Sequence, residues 1–511
     1  MFNISLLSGI CCYLVINCSV LRAADSTAFS ATDYSYIDQS ILAGSESFNI
    51  TAEEFKYSYE YGPAFIKRSK NSKETHLKYM INEKLLAEYA EQNGLDTLRQ
   101  AREMIRAIHN DLMTEEMFKD DIERNISIND AEIDTVINRK NINVEIKWLY
   151  SENNDQLEKI MKSLGQGILF DTLYEWQFKK GIARDDRHLN ITLYNLRLRN
   201  EFLAGIVDTL TVGEYSVPIK VNNGWYIVKL ESAYKNPILN EEEYNKLKSE
   251  ALSAIKKEKM DETSDKYVRE LFAENKPEII KDTFEILKSY IGRYYVSQDK
   301  YRSWGLSKNL DKALEATNAS EENINDLILV DLNDSSINLN DFLEWFWIRS
   351  QYMKFDKTNL YSFSSSLKQI VLLMVRDELL SEKARRRGYE SRYNVTKQMS
   401  WWHDKIAYST LRNELSNMIV IENEELKPDA NDHSDASKTD ILNMELSKKI
   451  FQLLSKMKKS NTVNINYELL GNIKVSDEND PGAVDLYTVK KGGLIPRTPY
   501  PTIDYDWINW E

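Results

Sequence analysis

The spacing of apolar residues predicts helices over most of the chain. Between residues 75 and 97, apolar side chains recur every three or four positions, and Gly94 then provides a helix end. Thr51 precedes an earlier helical pattern, and Glu54 lies three residues later, which is the spacing of a capping box. A further helical pattern covers about 97–125, and a long one covers about 240–274. We therefore expect a mainly helical protein.

The segment 144–230 departs from the helical pattern, because apolar and polar residues alternate there in short runs. In the last run, Trp225 and Ile227 point to one side of a predicted strand, whereas Tyr226 and Val228 point to the other. The predicted strands are 144–151, 189–197, 215–221 and 224–230, and the predicted helices are 153–180, broken near Gly165, and 201–210. The order β, α, α, β, α, β, β predicts a small α+β domain that closes with a hairpin across Asn222-Asn223.

Three blocks of sequence recur in the same order. Residues 375–391 align with 81–97 at an offset of 294, which pairs Gly388 with Gly94. Around them, 337–346 follows the pattern that begins at Phe48, and 419–426 follows that of 126–133. General similarity between Leu-rich helices explains the middle block alone. The conserved order of all three predicts an internal repeat.

Charge and cysteine content exclude several classes of function. The net charge of −14 argues against a general nucleic-acid binder, because a phosphate backbone requires a basic face. All three cysteines, Cys11, Cys12 and Cys18, lie within the first 20 residues. The remaining chain therefore has no disulfide framework, no cysteine-ligated zinc and no thiol nucleophile. The sequence contains no Gly-rich phosphate loop and no His-Glu-x-x-His motif, and we expect neither a cofactor nor a metal.

The N-terminus has the outline of a secretory signal peptide. An apolar stretch runs from about Leu6 to Leu21 and ends in the small residues Ala23-Ala24. The alternative is an uncleaved anchor, which keeps the protein close to a membrane. No later stretch has the roughly 18 apolar residues of a membrane span. We expect an exported protein of the periplasm or cell envelope.

The α+β segment resembles a parvulin-type (PpiC) peptidyl-prolyl isomerase domain. The residues that carry the resemblance are Gly213-Glu214-Tyr215-Ser216-Val217-Pro218, followed by Gly224-Trp225-Tyr226-Ile227-Val228. The helical segment 79–95 also resembles the chaperone module of the exported folding factors SurA and PrsA. The resemblance implies an α+β, mainly helical protein in which SurA-like helical chaperone modules surround a small parvulin-like domain.

The same resemblance identifies candidate binding residues. Parvulins carry two histidines that face each other across the sheet, and this chain has Trp148 and Tyr226 at those positions. Together with Trp225 and Leu193, these residues are predicted to line a substrate-binding cleft, because flat aromatic faces suit proline and aromatic side chains. The alternative is that Trp148 and Tyr226 are ordinary core residues. His188 is interpreted as a loop histidine rather than a catalytic one.

These observations predict a SurA/PrsA-like folding factor that binds unfolded or partly folded exported polypeptides and has a degenerate isomerase site. One alternative is an active isomerase with a site unlike that of the family, and another is an envelope assembly or structural protein that reuses the scaffold. The expected organisation is a signal peptide at 1–24, a flexible segment at 25–47, a helical module at 48–140, the parvulin-like domain at 141–236, a long helix completing the first module at 237–280, a second helical module at 281–473 and an acidic tail at 474–511.

Overall fold

The computed structural model describes residues 40–179, 187–221, 224–237, 240–320, 323–422, 436–475 and 497–510. The predicted signal peptide and the Asn222-Asn223 turn lie outside these ranges. The described chain is mainly helical with small antiparallel sheets, as the apolar spacing predicts. It divides into two compact units. Unit 1 comprises the described residues up to 125 and those from 261 onward, and unit 2 comprises residues 126–260.

Helices and strands are numbered in chain order across both units. The helices are α1 Ala52–Glu60, α2 Ala64–Lys67, α3 Ser72–Gln92, α4 Arg99–Asp121, α5 Asp130–Asn141, α6 Asn154–Gly165, α7 Phe170–Lys179, α8 Leu193–Arg199, α9 Glu201–Val207, α10 Glu241–Asn275, α11 Lys281–Tyr295, α12 Gln298–Ser303, α13 Leu306–Thr317, α14 Leu339–Arg349, α15 Leu360–Arg386, α16 Tyr393–Glu422, α17 Ala436–Ser460 and α18 Tyr467–Asn472. The strands are β1 Ile41–Gly44, β2 Asn49–Thr51, β3 Ile142–Ser151, β4 His188–Thr192, β5 Ile219–Val221, β6 Gly224–Lys235, β7 Glu278–Ile279, β8 Ile328–Asp331, β9 Ser336–Asn338 and β10 Asn464–Ile465. Within the described ranges, no helix combines the length and apolarity needed to span a membrane.

Unit 2 contains a four-stranded antiparallel sheet in the order β4-β3-β6-β5. The central strands β3 and β6 carry apolar residues on both faces. Leu149 and Ile227 pack in a cluster with Phe170 of α7, whereas Ile146 and Val228 pack with residues of α8 and α9. The alternation predicted from the sequence therefore separates two cores, one on each face of the sheet.

The second predicted strand, 189–197, is wrong in its second half. The strand ends at Thr192, whose hydroxyl accepts a hydrogen bond from the Asn195 backbone N–H and so begins α8. The boundary of the domain also differs from the expected 141–236. Helix α5 belongs to unit 2, because Ile133 and Val136 pack with Ala251 of α10. An amphipathic helix does not reveal from sequence alone which core it faces.

Unit 1 contains two β-hairpins with the same geometry. In the first, Ala43 of β1 pairs with Ile50 of β2. In the second, Val330 of β8 pairs with Ile337 of β9, and both ladders have an irregularity at the same place. Each hairpin leads directly into a helix, α1 or α14, that is capped by the last residue of the hairpin. This order agrees with the internal repeat predicted from the sequence.

Each hairpin is completed by a third strand. Strand β10 pairs with β1 through Ala43 and Ile465, and β7 pairs with β8 through Val330 and Ile279. The registers are again equivalent. We expected the long helix ending near 280 to complete the first module. Instead, the strand that follows α10 joins the hairpin of the second repeat, and the strand that follows α17 joins the hairpin of the first.

The long helices of the two repeats also exchange partners. Helices α3 and α15 end at equivalent positions, followed by Gly94 with φ of 69° and Gly388 with φ of 75°. Beyond these turns, α4 contributes Ile108 and Met113 to the core of the second repeat. The C-terminal half of α16 contributes Tyr408 to the core of the first repeat. The two repeats are thus interlocked within unit 1.

Ordered structure lies at both ends of the described chain, within the segment predicted to be flexible and within the acidic tail. The predicted flexible segment 25–47 includes β1, in which Leu42 is fully buried. Within the predicted acidic tail, residues 497–510 pack against unit 1, and Trp507 is fully buried. The Trp507 indole stacks on Tyr79 and donates a hydrogen bond of 2.8 Å to the Glu83 carboxylate. Scattered aromatics in an acidic segment gave no periodic signal for this docking.

Trp507 anchors the C-terminal segment, so its removal should destabilise unit 1. We expect Trp507→Ala to lower the free energy of unfolding by about 3–5 kcal/mol, because it leaves a cavity and removes one hydrogen bond to the buried Glu83 carboxylate. Ile508 is 49% exposed and provides the control, since Ile508→Ala should cost less than about 0.5 kcal/mol. Denaturant unfolding measures both values. Equal effects of the two substitutions would show that Trp507 is not an anchor.

His76 makes the stability of unit 1 dependent on pH. Burial between Phe55 and Tyr59, together with the nearby charges of Lys67 and Lys405, lowers the pKa of His76 to about 3. The unfolded chain binds a proton at this histidine near pH 6.5, whereas the folded chain does so only near pH 3. The contribution of neutral His76 to stability is therefore complete above pH 6.5 and is lost as the pH falls towards 3.

We expect the stability advantage of the wild type over His76→Gln to shrink by about 2 kcal/mol between pH 7 and pH 5. Denaturant unfolding of both proteins at the two pH values measures this difference. A constant difference would mean that His76 is not neutral in the folded protein.

Candidate functional site

The sheet of unit 2 brings three of the four predicted binding residues together. Trp148 on β3 pairs with Val228 on β6, and Tyr226 pairs with Tyr150. Paired residues in an antiparallel sheet point to the same face, as do alternate residues of one strand. Trp148 and Tyr226 therefore share one face, where both are half-buried and pack against the cluster that contains Leu193. We call this surface, formed by Trp148, Tyr150, Tyr226 and Leu193, the aromatic face.

Trp225 does not belong to the aromatic face. It pairs with Ser151 and packs with the cluster of Leu149 and Ile227 on the opposite side of the sheet. The Lys220 ammonium lies 5.6 Å from the centre of its indole ring. Trp225 was therefore wrongly grouped with Tyr226, because neighbouring residues of a strand point to opposite faces.

Two residues of the site were missed by the sequence analysis. The Tyr150 ring lies 5.1 Å from the Tyr226 ring, and the Arg187 guanidinium lies 5.4 Å from the centre of the Tyr150 ring. Tyr150 follows Trp148 by two residues, so the strand period could have identified it. Arg187 follows a segment without periodic signal, and only its pairing beside Trp148 brings it here.

Arg187 is charged and buried. Only 6% of the residue is exposed, and this burial lowers the pKa of its guanidinium. The guanidinium donates to the Gln177 side chain, which in turn bonds the backbone N–H and carbonyl of Tyr150 at 3.2 and 2.9 Å. Helix α7 thus fixes the end of β3 and with it the orientation of the Tyr150 ring.

The Gly-Glu-x-Ser-x-Pro motif fastens β6 in place. Gly213 adopts φ of 92°, a conformation that favours glycine, and its N–H donates to the Leu230 carbonyl. The Ser216 N–H donates to the Val228 carbonyl at 2.7 Å, and the Val228 N–H donates to the Ser216 hydroxyl at 3.0 Å. The motif therefore holds the strand segment that presents Tyr226.

Gly224 at the start of β6 has a similar positional role. Its φ is 147°, and a Cβ atom there would lie 2.4 Å from the Ser151 carbonyl oxygen and 2.6 Å from the Tyr150 ring. Only glycine permits this approach of β6 to the end of β3. The glycine of the Gly224-Trp225 pair is therefore needed because β6 passes close to Tyr150, a residue of the aromatic face.

The aromatic face is suited to binding and lacks the acid-base groups of a parvulin at the two matched positions. The Trp148 indole can donate a hydrogen bond but has no lone pair to accept a proton. His188 pairs with Lys147 and so lies on the opposite face of the sheet, where its ring bonds Glu145 at 2.7 Å. The interpretation of His188 as a loop histidine is wrong, because it is the first residue of β4 and pairs with β3.

Other candidate groups in the described chain serve structural roles. Glu91, His403 and Asp404 place one donor atom each within 4.8 Å of one another, as metal ligands do. His403 already bonds Glu91 at 3.1 Å, and Asp404 bonds Lys84, so these groups form an ion-pair cluster. The tryptophans Trp401 and Trp402 are 7% and 2% exposed, which identifies them as core residues.

Comparison with known proteins does not identify a family. No family model matches the chain, and a search of curated proteins finds no significant match. The function is therefore argued from the aromatic face and from the architecture of unit 1.

Proposed function

We propose that this protein is an exported SurA/PrsA-like folding factor that binds unfolded or partly folded polypeptides through apolar surfaces. The observation that carries the proposal is the aromatic face. Two aromatic residues occupy the positions of the parvulin histidines, and they share one face of an antiparallel sheet beside the Gly-Glu-x-Ser-x-Pro motif. Its place of action is the periplasm or cell envelope.

The element order of unit 2 supports this proposal. Strand β3, two helices, β4, two short helices and the hairpin β5-β6 follow one another as the resemblance to parvulin domains implies. The chain leaves unit 1 after residue 125 and returns at 261, so the parvulin-like segment is inserted within the helical part of the chain. This arrangement along the chain is also the one that the resemblance to SurA and PrsA implies.

The chemistry of the aromatic face favours binding without isomerisation. Rotation about an X-Pro bond has a barrier of about 18–20 kcal/mol, which an active site must lower with well-placed polar groups. Trp148 and Tyr226 instead offer ring faces on which a proline or aromatic side chain can pack. A folding factor with this site holds a client and does not accelerate proline isomerisation.

The contribution of the aromatic face can be measured with peptides that contain Phe-Pro pairs. We expect the double substitution Trp148→Ala, Tyr226→Ala to raise the peptide Kd about tenfold, because two aromatic contacts of roughly 0.5–1.5 kcal/mol are lost. Trp225→Ala removes an equally large ring from the opposite face of the sheet and should leave the Kd unchanged. Fluorescence anisotropy of labelled peptides measures the affinities.

Equal Kd values for the wild type and the double variant would exclude the aromatic face as the binding site. The same proteins should be tested for suppression of aggregation of a denatured client. If the wild type neither binds peptides nor suppresses aggregation, an envelope assembly or structural role becomes the better explanation.

A refolding assay tests the absence of catalysis. We expect the wild type to leave the rate of a proline-limited refolding step unchanged, because neither matched position carries a histidine. We expect Trp148→His with Tyr226→His to accelerate that step, since it restores the pair of histidines to one face. Acceleration by the wild type would favour the alternative of an active isomerase with a different site. Trp225→His is the control and should not accelerate the step, because Trp225 lies on the opposite face of the sheet.

A further inference from the structure

A groove of about 440 Å³ lies in unit 1 along one side of α3. Its floor is apolar and includes Leu77, Ile81 and Leu85 of α3 together with Ile465 and Leu470 from β10 and α18. The volume is within the range of about 300–1,000 Å³ that is typical of binding sites. All the residues that line it belong to unit 1.

The groove contains a buried polar atom that lacks a partner. Asn82 is 1% exposed and lines the groove, and its side-chain Oδ1 has no hydrogen-bond partner. A buried acceptor without a donor destabilises the fold, because its hydrogen bonds to water are lost and not replaced. A ligand that brings a hydrogen-bond donor into the groove would remove this cost.

The internal repeat shows what covers the equivalent surface in the second repeat. At the offset of 294, Leu77, Ile81 and Asn82 correspond to Val371, Val375 and Arg376 of α15. Val371 and Val375 are fully buried, and the Arg376 guanidinium is bonded to Asp377. The second repeat therefore pairs the polar side chain at this place, whereas the first repeat leaves Asn82 Oδ1 without a partner.

The difference arises in the helix that follows the third strand. After β7 the chain forms the 15-residue helix α11, whose Phe284, Leu287 and Ile291 are buried in the same cluster as Val371 and Val375. After β10 the equivalent helix α18 has only six residues. The groove is thus the counterpart of a surface that shares one core cluster with an amphipathic helix in the second repeat, a helix whose apolar residues are spaced three and four apart.

Charge indicates which helices fit. Lys78 on α3 and Lys458 on α17 both line the groove and are exposed, with Glu74 at its edge. Partial burial of Lys458, together with repulsion from Lys78, lowers the pKa of Lys458. An acidic side chain on the incoming helix would relieve this repulsion.

We propose that this groove binds an acidic amphipathic helix of a client polypeptide, which takes the place that α11 has in the second repeat. The helix presents apolar residues at i, i+3 and i+7 to the floor, a hydrogen-bond donor to Asn82, and carboxylates to Lys78 and Lys458. The inference rests on the proposed function, because it names the class of client segment that unit 1 holds.

Two labelled 15-residue peptides test the proposal with the full-length protein. Both carry Phe, Leu and Ile at positions 4, 7 and 11, as α11 does, and one has Glu and the other Lys at its remaining polar positions. We expect the Glu peptide to bind at least tenfold more tightly than the Lys peptide. We expect Lys78→Glu with Lys458→Glu to weaken the Glu peptide about tenfold, because two favourable ion pairs become repulsive.

Lys459→Glu with Lys78 retained is the matched control, because Lys459 is exposed on the same helix and does not line the groove. Its effect on the Kd should be less than twofold. If the charge-reversed variant binds both peptides as the wild type does while the wild type still suppresses aggregation, the groove proposal is wrong and the proposed function stands. If no peptide binds and aggregation is not suppressed, the proposed function itself fails.

A cross-linking experiment identifies the occupant independently of any loss of stability. Tyr467 lines the groove and is 64% exposed, so a photoreactive phenylalanine at this position should be tolerated. We expect cross-links to the Glu peptide and to amphipathic segments of a denatured client. Cross-links only to the protein's own chain or to a second copy would overturn the proposal.

Discussion

The architecture of unit 1 depends on the completion of each hairpin by a strand from the other repeat. A two-stranded hairpin is at best marginally stable in water and exposes an edge with unpaired backbone groups. Strand β10 satisfies one edge of β1, although the two strands are separated by more than 400 residues along the chain. Strand β7 does the same for β8. Neither repeat therefore contains a complete sheet by itself, and the two repeats are expected to fold as one cooperative body that closes late.

Buried ion pairs reinforce the same exchange. Lys84 of the first repeat bonds both Glu54, at 2.7 Å, and Asp404 of the second repeat. Asp111 on α4 lies 3.6 Å from Arg349 on α14, and burial raises the pKa of Asp111 to about 7. Buried charges are costly to desolvate, so such pairs favour one arrangement of the helices more than they add stability. Their placement at the crossing of the repeats is consistent with a role in selecting the exchanged arrangement over a separate one.

Local features of the fold could be predicted from sequence, but their long-range partners could not. The caps at Thr51 and Asn129 and the turn at Gly94 follow from residue type and spacing, because these act within one helical turn. Trp148 and Tyr226 were grouped through the resemblance, and the register of β3 and β6 places them on one face. The strand period alone separates Trp225 from Tyr226, although Trp225 was predicted to line the same cleft. The sequence does not show that β7 joins the hairpin of the second repeat and β10 that of the first. Each of these strands has only two residues, and either could pair with either hairpin edge.

The two candidate surfaces share a physical logic. In each, apolar or aromatic side chains lie on rigid elements: Trp148 and Tyr226 lie half-buried on one face of the sheet of unit 2, and the six-residue α18 stops where α11 continues. Backbone hydrogen bonds hold both surfaces, through Ser216 and Val228 on β6 and through the pairing of β10 with β1. Binding to a rigid apolar surface costs little conformational entropy, and such a surface discriminates little between apolar side chains. Both properties suit the recognition of many different unfolded chains.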